Sequence, residues 1–246
     1  MPAALAWTLW AVLLALLAAA VALALWQHAR LREARHGESR RLLAQFEALA
    51  TLLDELALPA RLPAITGGAG RPDFLLALAR HVWATRPRLV VECGSGLSTL
   101  VLARALQQNG DGHVYALEHD QEFAAWLAGE LERLGVADRA TLLVAQLGAL
   151  ALGGETWPWY AEDTLPAGEI DMLVVDGPPG RLRPLARYPA GPMLFDRMRI
   201  GAAAFLDDAR RGKERRVLAR WTREFPWFRQ EWRDTEKGLA VLTRSR

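Results

Sequence analysis

Two glycines follow a short apolar run and could form a loop that binds a cofactor. They stand in LVVECGSGLS, between Leu89 and Ser98. Gly94 and Gly96 permit a tight turn and a close approach of the backbone to a ligand. A helix beginning after them would present unpaired N–H groups near Ser98 and Thr99 to the same ligand. The pattern predicts a nucleotide-type binding loop, and the alternative is a purely structural turn between a strand and a helix.

Two glutamates, Glu92 and Glu118, indicate which kind of ligand the loop could bind. A dinucleotide-binding loop has a third glycine where this chain has Thr99, and the carboxylate of Glu92 would repel a pyrophosphate. The same carboxylate could pair with a cationic amino group. Glu118 ends the next predicted strand, where a carboxylate can accept hydrogen bonds from both hydroxyls of a ribose. These residues favour an adenosine-bearing cofactor with an amino group over a nicotinamide dinucleotide.

Three aspartates follow later strands of the sequence. Asp176 ends the apolar run IDMLVV, and Asp207 and Asp208 end GAAAFL. Carboxylates at one edge of a sheet could hold a divalent cation such as Mg²⁺ through oxygen, or accept a proton from a bound substrate. We therefore expect Asp176 and Asp208 to be catalytic, and all three aspartates are candidate metal ligands. The alternative for Asp207 and Asp208 is a helix N-cap followed by a solvated turn.

Apolar strands and helices alternate along the chain, which predicts an α/β fold with a doubly wound, Rossmann-like sheet. The strands are predicted at RLVVECGSG, HVYALEHD, ATLLVAQL, IDMLVVDG and GAAAFLDDA, with a helix at PMLFDRMRI before the last of these. Two further strands, joined by a turn at residues 236–238, are predicted in FRQEWRDTEKGLAVLTR. In such sheets ligands bind at the carboxyl ends of the strands, where the residues described above would meet.

Two segments near the predicted site are rich in aromatic or basic residues. GGETWPWYAEDTLPAGE is predicted to be irregular, and its aromatic side chains could form a wall of the acceptor site or cover the edge of the sheet. These side chains are Trp157, Trp159 and Tyr160. The loop GPPGRLRPLARYPAGP contains arginines that suit an anionic acceptor, since a guanidinium matches phosphate and carboxylate, or that are simply solvated. These arginines are Arg181, Arg183 and Arg187.

The first residues predict a membrane anchor. The segment from Ala4 to Trp26 carries no charged residue and is long enough, at about 1.5 Å per residue, to cross a hydrocarbon core about 30 Å thick. A cleaved signal peptide is less favoured because no Lys or Arg precedes the apolar run. The following HARLREARHGESRR has five arginines against two glutamates, which should keep it on the cytoplasmic side. We expect a single-pass protein of the inner (cytoplasmic) membrane with its domain in the cytoplasm.

These patterns divide the chain into three parts. Residues 1–27 form the transmembrane anchor, and residues 28–72 hold the basic juxtamembrane segment, an amphipathic helix from Arg40 to Leu58 and a linker rich in Pro and Gly. The helix is expected to dock on the core of the main domain, residues 73–246, the alternative being a coiled coil. Lys and Arg outnumber Asp and Glu by only 30 to 28, which does not predict a nucleic-acid partner. The single Cys93 fits a reducing compartment.

The motifs ECGSGLST, ALEHD and VVDGPPG resemble the first, second and fourth strand motifs of the class I S-adenosylmethionine-dependent methyltransferases. The resemblance runs roughly from Asp73 to Thr243 and implies a seven-stranded sheet whose last hairpin contains the one antiparallel strand. It implies that Glu92 serves the methionine amino group of the cofactor, that Glu118 binds its ribose, and that Gln146 contacts the adenine amine. The residues expected to bind S-adenosylmethionine are Glu92, Gly94, Ser95, Gly96, Ser98, Glu118, His119, Gln146 and Asp176.

The later strand motifs resemble more narrowly the small-molecule O-methyltransferases of the catechol type, which bind magnesium and acceptor hydroxyls at these strand ends. The chain departs from that type at Asp208, where Asn is usual, and has no matching lysine base soon after Asp176. The predicted function is a membrane-anchored methyltransferase that uses S-adenosylmethionine, with Mg²⁺ as a candidate cofactor, to methylate oxygen on a small, anionic or lipid-linked acceptor. The alternative is a catalytically silent binding module at the membrane. The sequence predicts neither the acceptor's identity nor the oligomeric state.

Overall fold

The computed structural model describes residues 2–64, 70–161, 165 and 167–246. The chain divides into two compact units, residues 1–46 and residues 47–246. The larger unit therefore includes the residues from 47 to 72, which the sequence assigns to the segment before the main domain.

The N-terminal part of the chain is one helix, α1, which extends from Pro2 to Leu56. It is long and apolar enough to cross a membrane, and its apolar side chains from Trp7 to Trp26 are exposed. The helix predicted between Ala4 and Trp26 is confirmed as a helix. It continues through the basic segment without interruption because that segment contains no proline and only one glycine, Gly37.

The last turns of α1 pack on the main domain. Leu52 and Leu56 are fully buried, and the Arg104 side chain donates hydrogen bonds to the carbonyl oxygens of Leu56 at 2.8 Å and Ala57 at 2.7 Å. The predicted docking of the amphipathic helix is confirmed for these turns. The prediction is wrong for its earlier apolar residues, since Leu42, Leu43 and Phe46 are exposed. Part of the predicted linker, residues 65–69, lies outside the described residues.

The main sheet has seven strands. Its strands are β1 (Leu89–Cys93), β2 (His113–Glu118), β3 (Ala140–Val144), β6 (Ile170–Val175), β7 (Met198–Leu206), β8 (Phe228–Arg233) and β9 (Leu239–Arg244). Their order is β3-β2-β1-β6-β7-β9-β8, and β9 pairs antiparallel with both of its neighbours while the other pairs are parallel. The predicted seven-stranded sheet with an antiparallel last hairpin is confirmed.

Helices cover both faces of the sheet. The helices are α2 (Pro72–Thr85), α3 (Leu97–Asn109), α4 (Gln121–Arg133), α5 (Ala190–Leu194) and α6 (Gly212–Glu224). The first three pack on one face with the end of α1, and the last two pack on the other. Successive side chains of a strand point to opposite faces, so Val90 belongs to the first core and Val91 to the second. Burial on both faces explains the nearly continuous apolar runs of the central strands.

Two predicted elements differ from the structure. Residues 153–160 of the segment predicted as irregular form the turn and second strand of a hairpin, β4 (Leu147–Leu152) and β5 (Glu155–Tyr160), while residues 162–164 and 166 of that segment lie outside the described residues. The strand predicted from ATLLVAQL ends early, at Val144, because its last residue, Leu147, already belongs to β4. Gly153 and Gly154, with φ of +61° and +77°, make the two-residue turn that joins antiparallel strands. The helix predicted at PMLFDRMRI is also too long, because Met198 already pairs with Ile170 as the first residue of β7.

Candidate active site

A cavity of about 340 Å³ lies at the carboxyl ends of β1, β2, β6 and β7. Most of its lining comes from the loops that follow these strands, as expected for a doubly wound sheet. The lining residues are Gly94, Ser95, Ser98, Glu118, His119, Tyr160, Asp176, Gly177, Pro179, Arg181, Arg187, Asp208, Arg211 and Lys237. The part lined by the first five residues, which the sequence predicts to bind a cofactor, is called the cofactor half, and the part lined by the others is called the acceptor half.

The loops after β1 and β6 approach each other backbone to backbone. Gly94 has φ of +89°, and a Cβ at this position would lie 3.1 Å from the amide nitrogen of Gly177. That amide donates a hydrogen bond to the carbonyl oxygen of Cys93 at 2.6 Å. Gly94 is therefore required both for its backbone conformation and for the space that a side chain would occupy.

Glu92 lies beneath the loop rather than in the cavity lining. It is fully buried, and its Oε2 accepts a 2.6 Å hydrogen bond from the Thr99 hydroxyl, which itself accepts from the Gly96 amide at 3.0 Å. Its Oε1 is buried and has no hydrogen-bond partner among the described residues. Burial raises the pKa of Glu92 to about 8, although the hydroxyls of Ser98 and Thr99 act in the opposite direction. Thr99 thus replaces a third glycine with a side chain that holds the buried glutamate.

Glu118 ends β2 with its carboxylate fixed from both sides. Oε1 accepts hydrogen bonds from the backbone amides of His119 at 2.8 Å and Asp120 at 2.9 Å, and lies 2.9 Å from Nδ1 of the His119 ring. Oε2 accepts a 2.6 Å hydrogen bond from the Ser95 hydroxyl. The carboxylate is therefore oriented in advance, and Oε2, which has a single donor, keeps capacity for a further one.

In the acceptor half, the side chain of Arg187 forms hydrogen bonds with a group of three aspartates. One carboxylate oxygen from each of Asp176, Asp207 and Asp208 lies within 4.8 Å of the others. Nη2 of Arg187 is 2.6 Å from Asp176 Oδ1 and 3.3 Å from Asp208 Oδ2, and Nη1 donates to the carbonyl oxygen of Asp207 at 3.0 Å. Burial alone would lower the pKa of Arg187, but the carboxylates of Asp176 and Asp208 outweigh burial and raise it.

The three aspartates have different surroundings. Burial raises the pKa of Asp176 despite the opposing charge of Arg187. Burial, with the neighbouring carboxylates, raises the pKa of Asp207 to about 7, and both of its carboxylate oxygens lack partners in the part of the chain that the structure describes. Asp208, with φ of +61°, is also 2.7 Å from Nη1 of Arg211 and 3.7 Å from Nζ of Lys237.

This arrangement does not fit a divalent cation. The guanidinium of Arg187 contacts the carboxylates of Asp176 and Asp208, which a metal ion would need as ligands. A Mg²⁺ ion among these oxygens would lie next to a fixed positive charge, and Coulomb repulsion would oppose its binding. The aspartates meet as the sequence predicts, but the cation that neutralises them is an arginine.

The cavity brings together most of the residues predicted to bind the cofactor. Gly94, Ser95, Ser98, Glu118, His119 and Asp176 all line it, together with the predicted catalytic residue Asp208. Glu92 and Gly96 support the loop from outside the lining, and Asp207 is buried behind it. Gln146 is exposed between β3 and β4 and does not line the cavity.

The aromatic and basic residues separate into two groups. Tyr160 lines the cavity, whereas Trp157 and Trp159 are buried in the second core. Arg183 lies over the Trp157 ring and pairs with Glu155, and unlike Arg181 and Arg187 it does not line the cavity.

Two lining residues, Arg211 and Lys237, were not predicted as site residues. Lys237 comes from the turn between β8 and β9, far from the other site residues in sequence. No local pattern distinguishes it from a solvated turn lysine. Arg211 belongs to a predominantly basic run in which no single arginine stands out.

Comparisons with known proteins agree with this fold. A family model described as a methyltransferase domain matches residues 91–209, and no curated protein matches the chain. The crystal structure of cofactor-bound Rv0187 from MTB is 24% identical, covering 82% of this chain and 91% of that chain, with a TM-score of 0.53.

Two O-methyltransferase structures have the same fold. The enzyme from Bacillus cereus in complex with SAH is 17% identical, covering 80% of this chain and 90% of that one, with a TM-score of 0.54. The O-methyltransferase TomG from Streptomyces achromogenes, involved in tomaymycin synthesis and in complex with SAM, is 19% identical. The match covers 82% of this chain and 90% of that chain, with a TM-score of 0.53. Residues 91–209 thus match a methyltransferase domain, and the chain has the fold of these O-methyltransferase structures.

Proposed function

We propose that this chain transfers a methyl group from S-adenosylmethionine to an oxygen atom of a small anionic acceptor at the membrane surface. The observation that carries the proposal is a single cavity that joins the glycine loop and Glu118 to Asp176 and four basic side chains. The transfer to oxygen is further supported by structural neighbours described as O-methyltransferases.

The cofactor half of the cavity has the features that S-adenosylmethionine requires. The carboxylate of Glu118 is oriented to accept from ribose hydroxyls, and the absence of a side chain at Gly94 leaves room beside the backbone of Gly177. The buried, unpartnered Oε1 of Glu92 is an acceptor near the loop for the amino group, reached directly or through water. When bound, the cofactor supplies an electrophilic methyl group on its sulfonium.

The acceptor half provides a proton acceptor and a positive surface. Asp176 lines the cavity at the end of β6 and is the residue that we expect to accept the proton of the acceptor hydroxyl. Asp208 contacts three cationic side chains, which makes it a poor base, and we assign it to positioning Arg187. The lining cations Arg181, Arg211 and Lys237 suit a phosphate or carboxylate on the acceptor.

Methyl transfer is tested with radiolabelled S-adenosylmethionine incubated with the full chain and with fractionated membranes and cytosol. Label should enter one fraction with the wild-type chain, and both Glu118→Ala and Asp176→Asn should abolish incorporation. Glu122→Ala, which removes an exposed carboxylate on α4 outside the cavity, is the matched control and should retain it. Equal incorporation by all four proteins, or none by the wild type despite cofactor binding, contradicts the proposal; the second result favours the silent binding module.

Membrane attachment is a separate part of the proposal, supported by the exposed apolar surface of α1. Replacing Leu16 and Leu17 by Arg should release the chain from the membrane, because each arginine near the centre of a bilayer costs about 2.5–3.5 kcal/mol. Arg at Leu42 and Leu43, two equally exposed leucines beyond the predicted anchor, is the control. Both variants are mixed with lipid vesicles and centrifuged in a flotation gradient. The variant with Arg at positions 16 and 17 should stay at the bottom, and the variant with Arg at positions 42 and 43 should float. Flotation of both would contradict the anchor.

A further inference from the structure

The cation at the centre of the acceptor half belongs to the chain itself. We propose that the guanidinium of Arg187 takes the place of a divalent cation, so that methyl transfer at this site needs no metal. That the site transfers a methyl group rests on the proposed function. That Arg187 replaces a metal ion rests on its contacts with the aspartates.

Arg187 connects the ends of two strands through its hydrogen bonds. Its two terminal nitrogens reach the carboxylates of Asp176 and Asp208 and the carbonyl oxygen of Asp207, and thereby join the ends of β6 and β7. The residue is only 6% exposed, so these hydrogen bonds are shielded from competing water. The guanidinium thus links the same strand ends that a bound metal ion would link.

Protein cations balance the charge of the aspartates that line the cavity. Asp176 has Arg187 as its ion-pair partner, and Asp208 has Arg187, Arg211 and Lys237. The carboxylates of Asp176 and Asp208 are already neutralised by protein cations. A divalent ion would have to displace a buried guanidinium and leave it unpaired, which is unfavourable.

The guanidinium of Arg187 keeps a hydrogen that it can donate to a ligand. Nη1 of Arg187 uses one of its two hydrogens on the carbonyl oxygen of Asp207 and keeps the other, whereas Nε is buried and is not available to a ligand. The residue also lines the cavity. An acceptor oxygen that becomes negative as its proton is lost can therefore be stabilised by Arg187, the role that a metal ion would otherwise serve. This chemistry suits an acidic hydroxyl, such as a phenol or enol.

The experiment measures Mn²⁺ binding by electron paramagnetic resonance, with the full chain in detergent micelles. Wild type should show no stoichiometric Mn²⁺ binding. Arg187→Met, which keeps the length of the side chain but removes its charge, should bind one Mn²⁺ per chain at least about tenfold more tightly, because the carboxylates of Asp176 and Asp208 lose their shared cation. Arg183→Met is the matched control, since Arg183 pairs with Glu155 outside the cavity, and it should behave as wild type.

Stoichiometric Mn²⁺ binding by the wild-type chain would overturn the proposal, as would a failure of Arg187→Met to bind more tightly than wild type. If Arg187→Met does not fold, Arg187→Gln is used in its place. Titration with S-adenosylmethionine in the absence of metal is run on the same samples. Loss of cofactor binding by the wild type would contradict the proposed function, whereas the Mn²⁺ result concerns Arg187 alone.

Discussion

The hydroxyl of Ser95 donates a 2.6 Å hydrogen bond to Oε2 of Glu118, and so joins the loop after β1 to the end of β2. The opposite oxygen of the same carboxylate is held by two backbone amides and by the His119 ring. The carboxylate assigned to the ribose is therefore oriented before any ligand binds, and a ribose hydroxyl would have to share Oε2 with Ser95 or displace it.

Because Ser95 orients the carboxylate of Glu118, substitutions at the two positions should have different effects on stability and on cofactor binding. Ser95→Ala should reduce the free energy of unfolding by about 1–2 kcal/mol, because a hydrogen bond to a charged acceptor is lost, but should leave Oε2 free for ribose. Glu118→Gln should weaken cofactor binding by about 10–100-fold. Isothermal titration with S-adenosylmethionine, with urea unfolding of each variant, measures both quantities. A larger loss of affinity in Ser95→Ala than in Glu118→Gln would show that Ser95, not Glu118, binds the cofactor.

Gly94 should tolerate no side chain. Gly94→Ala forces a positive φ on alanine and places a Cβ against the backbone of Gly177, whereas Gly110→Ala imposes a positive φ with no atom within 4 Å. Gly110→Ala is the control for backbone strain alone, which should lower the free energy of unfolding by about 1 kcal/mol. Gly94→Ala should lower it by about 1–2 kcal/mol more, because of the additional steric clash, and should abolish cofactor binding. Chemical unfolding of both variants measures the difference. Equal destabilisation would mean that the two loops can separate freely.

The buried Glu92 should make stability depend on pH. Its pKa is about 8 in the folded chain against 4.5 ordinarily, so between these values the folded state keeps a proton that the unfolded state loses. Stability should therefore fall as pH rises from about 4.5 to 8, by up to about 1.4 kcal/mol per pH unit from this group, and should not fall further above pH 8.

The measurement is urea unfolding across that pH range. Glu92→Gln keeps an acceptor for Thr99 and should remove this part of the slope. Glu122→Gln, at an exposed position, should leave the slope as in wild type. An unchanged slope in Glu92→Gln would mean that the glutamate is ionised in the folded chain.

The end of α1 should contribute to the stability of the main domain. Leu56→Ala should cost about 2–5 kcal/mol, since Leu56 is fully buried in the core with α2 and α3. Leu53→Ala, one turn earlier and 42% exposed, should cost less than about 0.5 kcal/mol. Thermal unfolding of both variants tests the difference. Similar melting temperatures would show that the last turns of α1 are not part of the folded core.

Much of the fold could be predicted because its signals are local. Apart from β3, the parallel strands are short apolar runs ended or followed by glycine or a carboxylate, and the turn at residues 236–238 marks the last hairpin. The hairpin of β4 and β5 differs from the irregular segment that the sequence predicts, although Gly153-Gly154 is a recognised signal for a two-residue turn. The boundary of β7 was misplaced because pairing of Met198 with β6 outweighs the helical appearance of the segment before it.

The cofactor half of the site could also be predicted. Its residues follow directly on strand ends, and parallel strands bring their carboxyl ends to one edge of the sheet. Gln146 is the exception: it follows β3, but the chain turns there into β4, and its side chain is exposed. Glu92 could be recognised as important from its position, but not as a buried residue held by Thr99.

The sequence by itself determined the glycine loop, the carboxylates at the strand ends and the apolar N-terminal helix, because each depends on residues that are adjacent along the chain. Only the tertiary structure decided which cation meets the aspartates. Arg187, Arg211 and Lys237 come from separate loops, and their approach to Asp208 depends on how those loops pack over the edge of the sheet. Long-range packing therefore placed a guanidinium where the sequence alone allowed a metal ion.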